Sequence, residues 1–161
     1  MRVYMDEYAS KLNKMVIDLY RIIHKSEEQI IKRSRRIDLT INEMHLIESI
    51  GKGGNPRSGN FQPRTVSSIA EDLGITLPSV TVAINKLLKK GYADKIKSES
   101  DGRVAHVILT RDGQKIDRLH RSFHEKMVQY IMRDLTSEEK KIMLNIVTKL
   151  NIFFNQQEAG V

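Results

Sequence analysis

Cysteine is absent from the 161-residue chain, which removes disulfides, thiol redox sensing and thiolate metal sites together. Tryptophan is also absent and aromatics make up only 6%, arguing against a stacking platform for single-stranded nucleic acid. Neither proline nor glycine occurs between Met5 and Arg35, so nothing there interrupts a long helix. No apolar run reaches membrane-spanning length, and Met1 to Tyr8 carries charges where a signal peptide needs apolar residues. The expectation is a cytoplasmic protein without a membrane partner. Gly-Lys-Ser/Thr phosphate loops, Ser-His-Asp elbows and Gly-rich nucleotide loops are all missing, so the chain reads as a non-enzyme without a cofactor.

What the chain does contain is positive charge and helical pattern. A net charge of +7 suits a partner that carries phosphates, and hydrophobic content of 40% is ordinary for one globular domain. Between Thr65 and Thr110 the pattern is helix, tight turn, helix and ribbon. Ile69, Ala70 and Leu73 give the first helix, Val66–Leu73, one apolar side. Gly74 makes the reversal, Ile75 is expected to pack the corner, and Thr76 is placed to N-cap the second helix. Pro78 falls in that helix's first turn, and Lys89, Lys90 and Gly91 end it. Tyr92–Lys97 and Val104–Leu109 then flank the polar tip Ser98–Arg103, whose Asp101-Gly102 pair predicts a hairpin, the wing of a winged helix-turn-helix.

The flanks are helical. Tyr8, Leu12, Met15, Leu19 and Ile22 form a heptad-like seam on a helix of about thirty residues, roughly 45 Å long, which points to a dimer contact rather than a core element. The basic run Lys32, Arg33, Arg35 and Arg36 closes it as a solvated end. Thr40 and Glu43 spell a capping box, with Leu39 stapling onto Met44 ahead of Leu46, Ile47 and Ile50. Residues 51–64 read as a basic loop connector, with four Gly and two Pro. Thr110 opens a helix to about Arg133, striped by Ile116, Leu119, Phe123, Met127, Tyr130 and Ile131. Thr136 and Glu139 box the last helix, where Met143, Ile146, Val147, Leu150, Phe153 and Phe154 are expected to be buried. The fold class is therefore mainly α with a small β wing: a winged centre at 40–110 flanked by dimerisation helices at 1–36 and 111–156.

On the second helix of the pair, Val80, Ile84 and Leu87 share the core face. That leaves Leu77, Pro78, Ser79, Thr81, Val82, Asn85 and Lys86 to meet DNA, where short polar groups read base edges and a Val or Thr methyl touches thymine. In the ribbon, Lys95 and Lys97 offer phosphate contacts, while Arg103 either enters a minor groove or pairs with Asp101. His120 and His124 stand four apart on one helix face, a spacing that a metal pair or the polar edge of a buried stripe both satisfy. The intervening Arg-Ser-Phe lacks the general-base Glu of a metalloprotease.

Ile69-Ala70, Leu73-Gly74-Ile75, Ser79-Val80-Thr81, Leu87 with Lys90-Gly91-Tyr92, and Asp101-Gly102-Arg103 leading to Leu109-Thr110 and Gly113 resemble the MarR family of winged-helix regulators. That resemblance implies a homodimer with paired recognition helices on double-stranded palindromic DNA. Glu43-Met44-His45, Ile50-Gly51-Lys52, Arg118-Leu119-His120 and Phe123-His124 are similar to its FabT-like branch of fatty-acid-biosynthesis repressors. This implies control by a long acyl chain on acyl carrier protein, through an effector pocket at Glu27, His45, His120 and His124. The same four residues also match a ligand set of the family's zinc-sensing branch, so a zinc-responsive regulator is the alternative. That branch's second site expects Cys or acidic residues where Arg33, Met44 and Leu119 stand, and Gly102 replaces an Arg common in the wing.

Overall fold

A computed structural model describes residues 6–33, 37–54, 59, 61–97 and 105–158. The elements run α1 (Glu7–Arg33), α2 (Ile41–Gly51), β1 (Arg64–Thr65), α3 (Val66–Leu73), α4 (Leu77–Lys89), β2 (Ala93–Lys97), β3 (Ala105–Leu109), α5 (Arg111–Arg133) and α6 (Ser137–Glu158). They fall into two compact units, residues 1–120 and 121–161. The wing tip with Arg103, and the basic residues Arg35 and Arg36, lie outside the described residues.

Unit 1 is built on α2, α3 and α4. Thr40 accepts from the Glu43 amide at 3.2 Å while the Glu43 carboxylate takes the Thr40 N–H at 2.8 Å, closing the expected capping box. Leu39, Met44, Leu46, Ile47 and Ile50 then enter the core, joined by Ile69 and Ala70 of α3, and Val80, Ile84 and Leu87 of α4. Each such aliphatic side chain stabilises the fold by ~1.5–3 kcal/mol relative to exposure. Gly74 sits at φ 63°, a left-handed position that favours glycine, and bonds from Gly74 N to Glu71 O and Ile75 N to Ala70 O close α3. Ile75 does not pack the corner as its apolar side chain suggested. It is 46% exposed, because backbone bonds alone make that turn.

The sheet is three-stranded and antiparallel, in the order β1-β3-β2, rather than a two-stranded ribbon. Arg64 pairs with Val107 and Thr65 with His106, so the 51–64 segment read as loop ends in a strand. Two residues leave no alternation to detect. The connector is also anchored at its ends, since Gln62 N donates to Gly53 O at 2.9 Å. At the other side of the sheet, Thr110 donates its N–H to Tyr92 O and its hydroxyl to Gly91 O, seating the start of α5. A Cβ on Gly113 would come within 2.0 Å of Tyr92 O, so glycine is required where α5 crosses that carbonyl.

Apolar stripes also face solvent. On α1, Tyr8, Leu12, Met15, Leu19 and Ile22 are all exposed, whereas Ile31 nearer its C-terminal end packs on the core. In unit 2, the α6 stripe expected to be buried is exposed, from 37% at Met143 to 59% at Phe154. On α5, Ile116 is buried and Phe123 and Met127 are half-buried, but Leu119, Tyr130 and Ile131 are exposed. A periodic apolar pattern states that a face is to be covered; it does not state which chain covers it. The second capping box is in place, with Thr136 N donating to Glu139 Oε2 at 2.8 Å.

One ionic cluster ties the first strand to the helices. Asp72 accepts from Lys52 at 2.7 Å, the Ser49 hydroxyl at 2.6 Å and Arg64 at 3.0 Å, while Arg64 also donates to the Ser49 and Ser68 carbonyls. Burial alone would raise the carboxyl's pKa, but the bonds from Lys52, Ser49 and Arg64 outweigh it and bring the group down to about 2. A depressed carboxylate contributes stability above its unfolded value, near 3.8, and loses it as pH falls toward about 2. Asp72→Asn should therefore cost roughly 1–2 kcal/mol at neutral pH, after allowing for solvent screening. Denaturant titrations should show the gap to wild type closing between pH 4 and 2, both limits taken as approximate. An equal gap at all pH values would deny the cluster this role.

Candidate nucleic-acid interface and interhelical cluster

Thr76 caps α4, accepting from Ser79 N at 3.4 Å, with its hydroxyl 2.9 Å from the Ser79 hydroxyl. Pro78 occupies the first turn, where no amide partner is needed. The helix ends with Gly91 N on Leu88 O and Tyr92 N on Leu87 O, the paired bonds of a Schellman closure. Val80, Ile84 and Leu87 are wholly buried, so the opposite face has only one direction to point. Leu77, Pro78, Ser79, Thr81, Val82, Asn85 and Lys86, the residues expected to meet DNA, are all exposed. Pro78, Ser79, Val82, Ala83 and Lys86 line a shallow groove of about 410 Å³ on this face.

Two details refine what the face offers. The Thr81 hydroxyl donates to Leu77 O at 2.8 Å, so its hydrogen is committed within the helix, leaving a methyl and lone pairs outward. Asn85 Oδ1 accepts from Lys95 Nζ at 3.3 Å, linking helix to wing strand. Lys95 and Lys97 are both exposed on β2, spaced by two and thus on one side of the strand. At its far end α4 is held by Lys90, whose ammonium lies 2.9 Å from the Glu43 carboxylate. Burial pushes the Glu43 pKa up, but the Thr40 amide and Lys90 outweigh it and hold the group below its ordinary value. The cap of α2 and the end of α4 thus share one anion.

The second constellation lies where α1, α2 and α5 meet within unit 1. Glu27 Oε1 stands 3.7 Å from His45 Nε2 and 3.6 Å from His120 Nε2, and His120 Nδ1 is 3.0 Å from Glu48 Oε2. The His45 and His120 rings are tilted, with centroids 5.4 Å apart. Glu27 and His120 are buried, and His45 is partly open. Three of the four residues singled out in the sequence are therefore brought together. The fourth, His124, belongs to unit 2, where its ring meets Phe123 edge-on at 5.1 Å. One donor atom each from Glu27, His45 and His120 lies within 4.8 Å of the others. Tetrahedral zinc holds its donors about 3.3 Å apart, closer than the 4.8 Å that bounds this set.

A cavity between the end of α4 and the start of α5 was not anticipated. It measures about 650 Å³ and is lined by Ile37, Lys90, Tyr92, Asp112, Lys115, Ile116 and Leu119. Lys90 read from sequence as a helix end and Ile116 as a stripe residue, and no local spacing links them. A smaller groove of about 340 Å³ lies against His24, Glu28, Ile31, Leu39 and Asn42.

A sequence profile of the MarR family matches residues 37–104. The structure of Streptococcus pneumoniae FabT in complex with DNA aligns over 92% of this chain and 98% of that one, at 34% identity and a TM-score of 0.80. An uncharacterized HTH-type transcriptional regulator of Bacillus subtilis, YhjH, is 25% identical over 81% of this chain and 74% of its own length. Adhesin competence repressor from Streptococcus pyogenes, at 23% identity and a TM-score of 0.66 over 91% of this chain and 98% of that one, shares the fold alone and lends the zinc reading no support. With six helices and a three-stranded sheet among the described residues and an outward-facing α4, this chain belongs to the MarR family of winged helix-turn-helix transcriptional regulators, which bind DNA and are not enzymes.

Proposed function

We propose that the protein is a cytoplasmic, homodimeric repressor of fatty-acid or lipid biosynthesis genes, reading palindromic double-stranded DNA and responding to an acyl group on acyl carrier protein. The observation that carries the DNA reading is the exposed face of α4 opposite Val80, Ile84 and Leu87. Leu77, Pro78 and Ser79 lead the helix toward the backbone, where the positive end of its dipole favours phosphate. Thr81, Val82, Asn85 and Lys86 face base edges, and Lys95, Lys97 and Arg103 belong to the wing's phosphate and minor-groove contacts.

The dimer reading is supported by the uncovered apolar residues of α1 and of α6. Leaving several Leu, Ile and Phe side chains in water forgoes ~1.5–3 kcal/mol each, and a second copy supplies a matching surface by symmetry. The effector reading is supported by likeness to FabT and by the 650 Å³ cavity, whose apolar Ile37, Tyr92, Ile116 and Leu119 sit beside Lys90 and Lys115. That volume falls within the usual range for a small-molecule site. The Glu27, His45 and His120 cluster then acts as a polar wall of the effector site. A zinc site at Glu27, His45 and His120 is the second reading, and it rests on the identity of the three donors.

Three outcomes test these readings. Asn85→Ala or Thr81→Ala should lower the ratio of affinities for a selected palindrome over random duplex by about 5- to 150-fold per lost base contact. An unchanged ratio would remove α4 from base reading. Leu19→Lys should shift sedimentation toward the single chain and weaken palindrome binding; a monomeric wild type would end the dimer proposal. For the effector, palindrome binding is measured with carrier protein, long-chain acylated carrier protein, zinc and chelator. The acylated form alone should change affinity, whereas a response to zinc without one to acylated protein would transfer the role to Glu27, His45 and His120.

A further inference from the structure

Asn85 and Lys95 approach from different elements, and their chemistry constrains what Asn85 can read. Asn85 is exposed on α4, four residues and so one turn beyond Thr81; Lys95 is exposed on β2. Lys95 Nζ lies 3.3 Å from Asn85 Oδ1. An ammonium has donors only, so the atom facing it must be the amide oxygen, and the Nδ2 hydrogens are turned away from it. Reading adenine with Asn takes both ends of the amide: Oδ1 accepts from N6 while Nδ2 donates to N7. With one Oδ1 lone pair engaged by a cation, an approaching N6 amino group has to use the other lone pair against the positive charge beside it. What remains outward is a set of donors, from Nδ2 and from Nζ. Guanine presents two adjacent acceptors, O6 and N7, in the major groove, and matches that set.

Resting on the reading that α4 enters the major groove, we propose that Lys95 is a specificity-determining residue: it converts Asn85 from an adenine reader to a guanine reader. The wing strand thereby sets a base preference on the helix beside it. Thr81 provides an internal reference, because its hydroxyl hydrogen is held by Leu77 O while Lys95 bonds to Asn85.

The test is selection of binding sites by the full-length protein from a randomised duplex pool at fixed salt, comparing wild type, Lys95→Met and Asn85→Ala. Wild type should enrich guanine over adenine about tenfold at one position per half-site, and Asn85→Ala should make that position degenerate. Lys95→Met should move the same position toward adenine by fivefold or more, leaving the Thr81-dependent position unchanged. Adenine at the Asn85-dependent position in wild type would overturn the proposal, as would an unaltered guanine preference in Lys95→Met. A uniform affinity loss in Lys95→Met, with the salt slope reduced by about one, would assign Lys95 to phosphate alone and also overturn it. If Asn85→Ala changes no position, base reading by Asn85 itself fails, an outcome distinct from the others.

Discussion

Val80, Ile84 and Leu87 fall on one side of α4, and burying all three completely fixes the rotation of that helix about its own axis. A turn of about 100° either way would put an Asn, Lys or Ser into an apolar core at a cost of several kcal/mol. Everything the helix shows to a partner follows from that constraint. Thr81, Val82, Asn85 and Lys86 are presented because their neighbours are held by Ile47, Ile69 and the rest of the core. DNA recognition is in this sense a by-product of packing: the core selects the face, and the face selects the base edges it can meet.

Charged groups then set where the helix sits. Glu43 closes the cap of α2 and simultaneously receives Lys90, so the position of the α4 terminus is linked to the start of α2. Asp72 gathers Lys52, Ser49 and Arg64, which holds the short β1 strand against α3. Both carboxylates are depressed for the same reason, hydrogen bonds to the ionised form exceeding the penalty of burial. Neither anion is available to repel phosphate, since each is neutralised within the protein. The chain's excess of basic residues is thereby left to act outward.

Features set by neighbours in sequence were legible. The Thr40/Glu43 and Thr136/Glu139 boxes, the Gly74 reversal and the exposed face of α4 depend on residues three or four apart, where side-chain chemistry and helical period speak directly. Features made by distant residues were not. Asp72 meets groups 8 to 23 residues away, and β1 is too short to alternate. Ile75 is apolar yet exposed, because composition does not reveal that the backbone already closes that corner. The exposed stripe of α6 shows a different limit: its periodicity is that of a core helix, yet its apolar residues stay exposed in the single chain. Glu27, His45 and His120 were found through family likeness, since residues on three separate helices carry no shared spacing.

The two constellations divide the labour expected of a regulator. One presents donors and methyl groups outward at α4; the other gathers ionisable groups from α1, α2 and α5. Base reading by this protein depends first on α4 entering the major groove. Methylation interference on a selected duplex tests this most directly, because dimethyl sulfate places a methyl on guanine N7 in that groove. The prediction is loss of binding on modification of guanines in two clusters about one helical turn apart, centre to centre. Interference confined to the minor-groove N3 of adenine, with N7-methylated duplex bound normally, would contradict it.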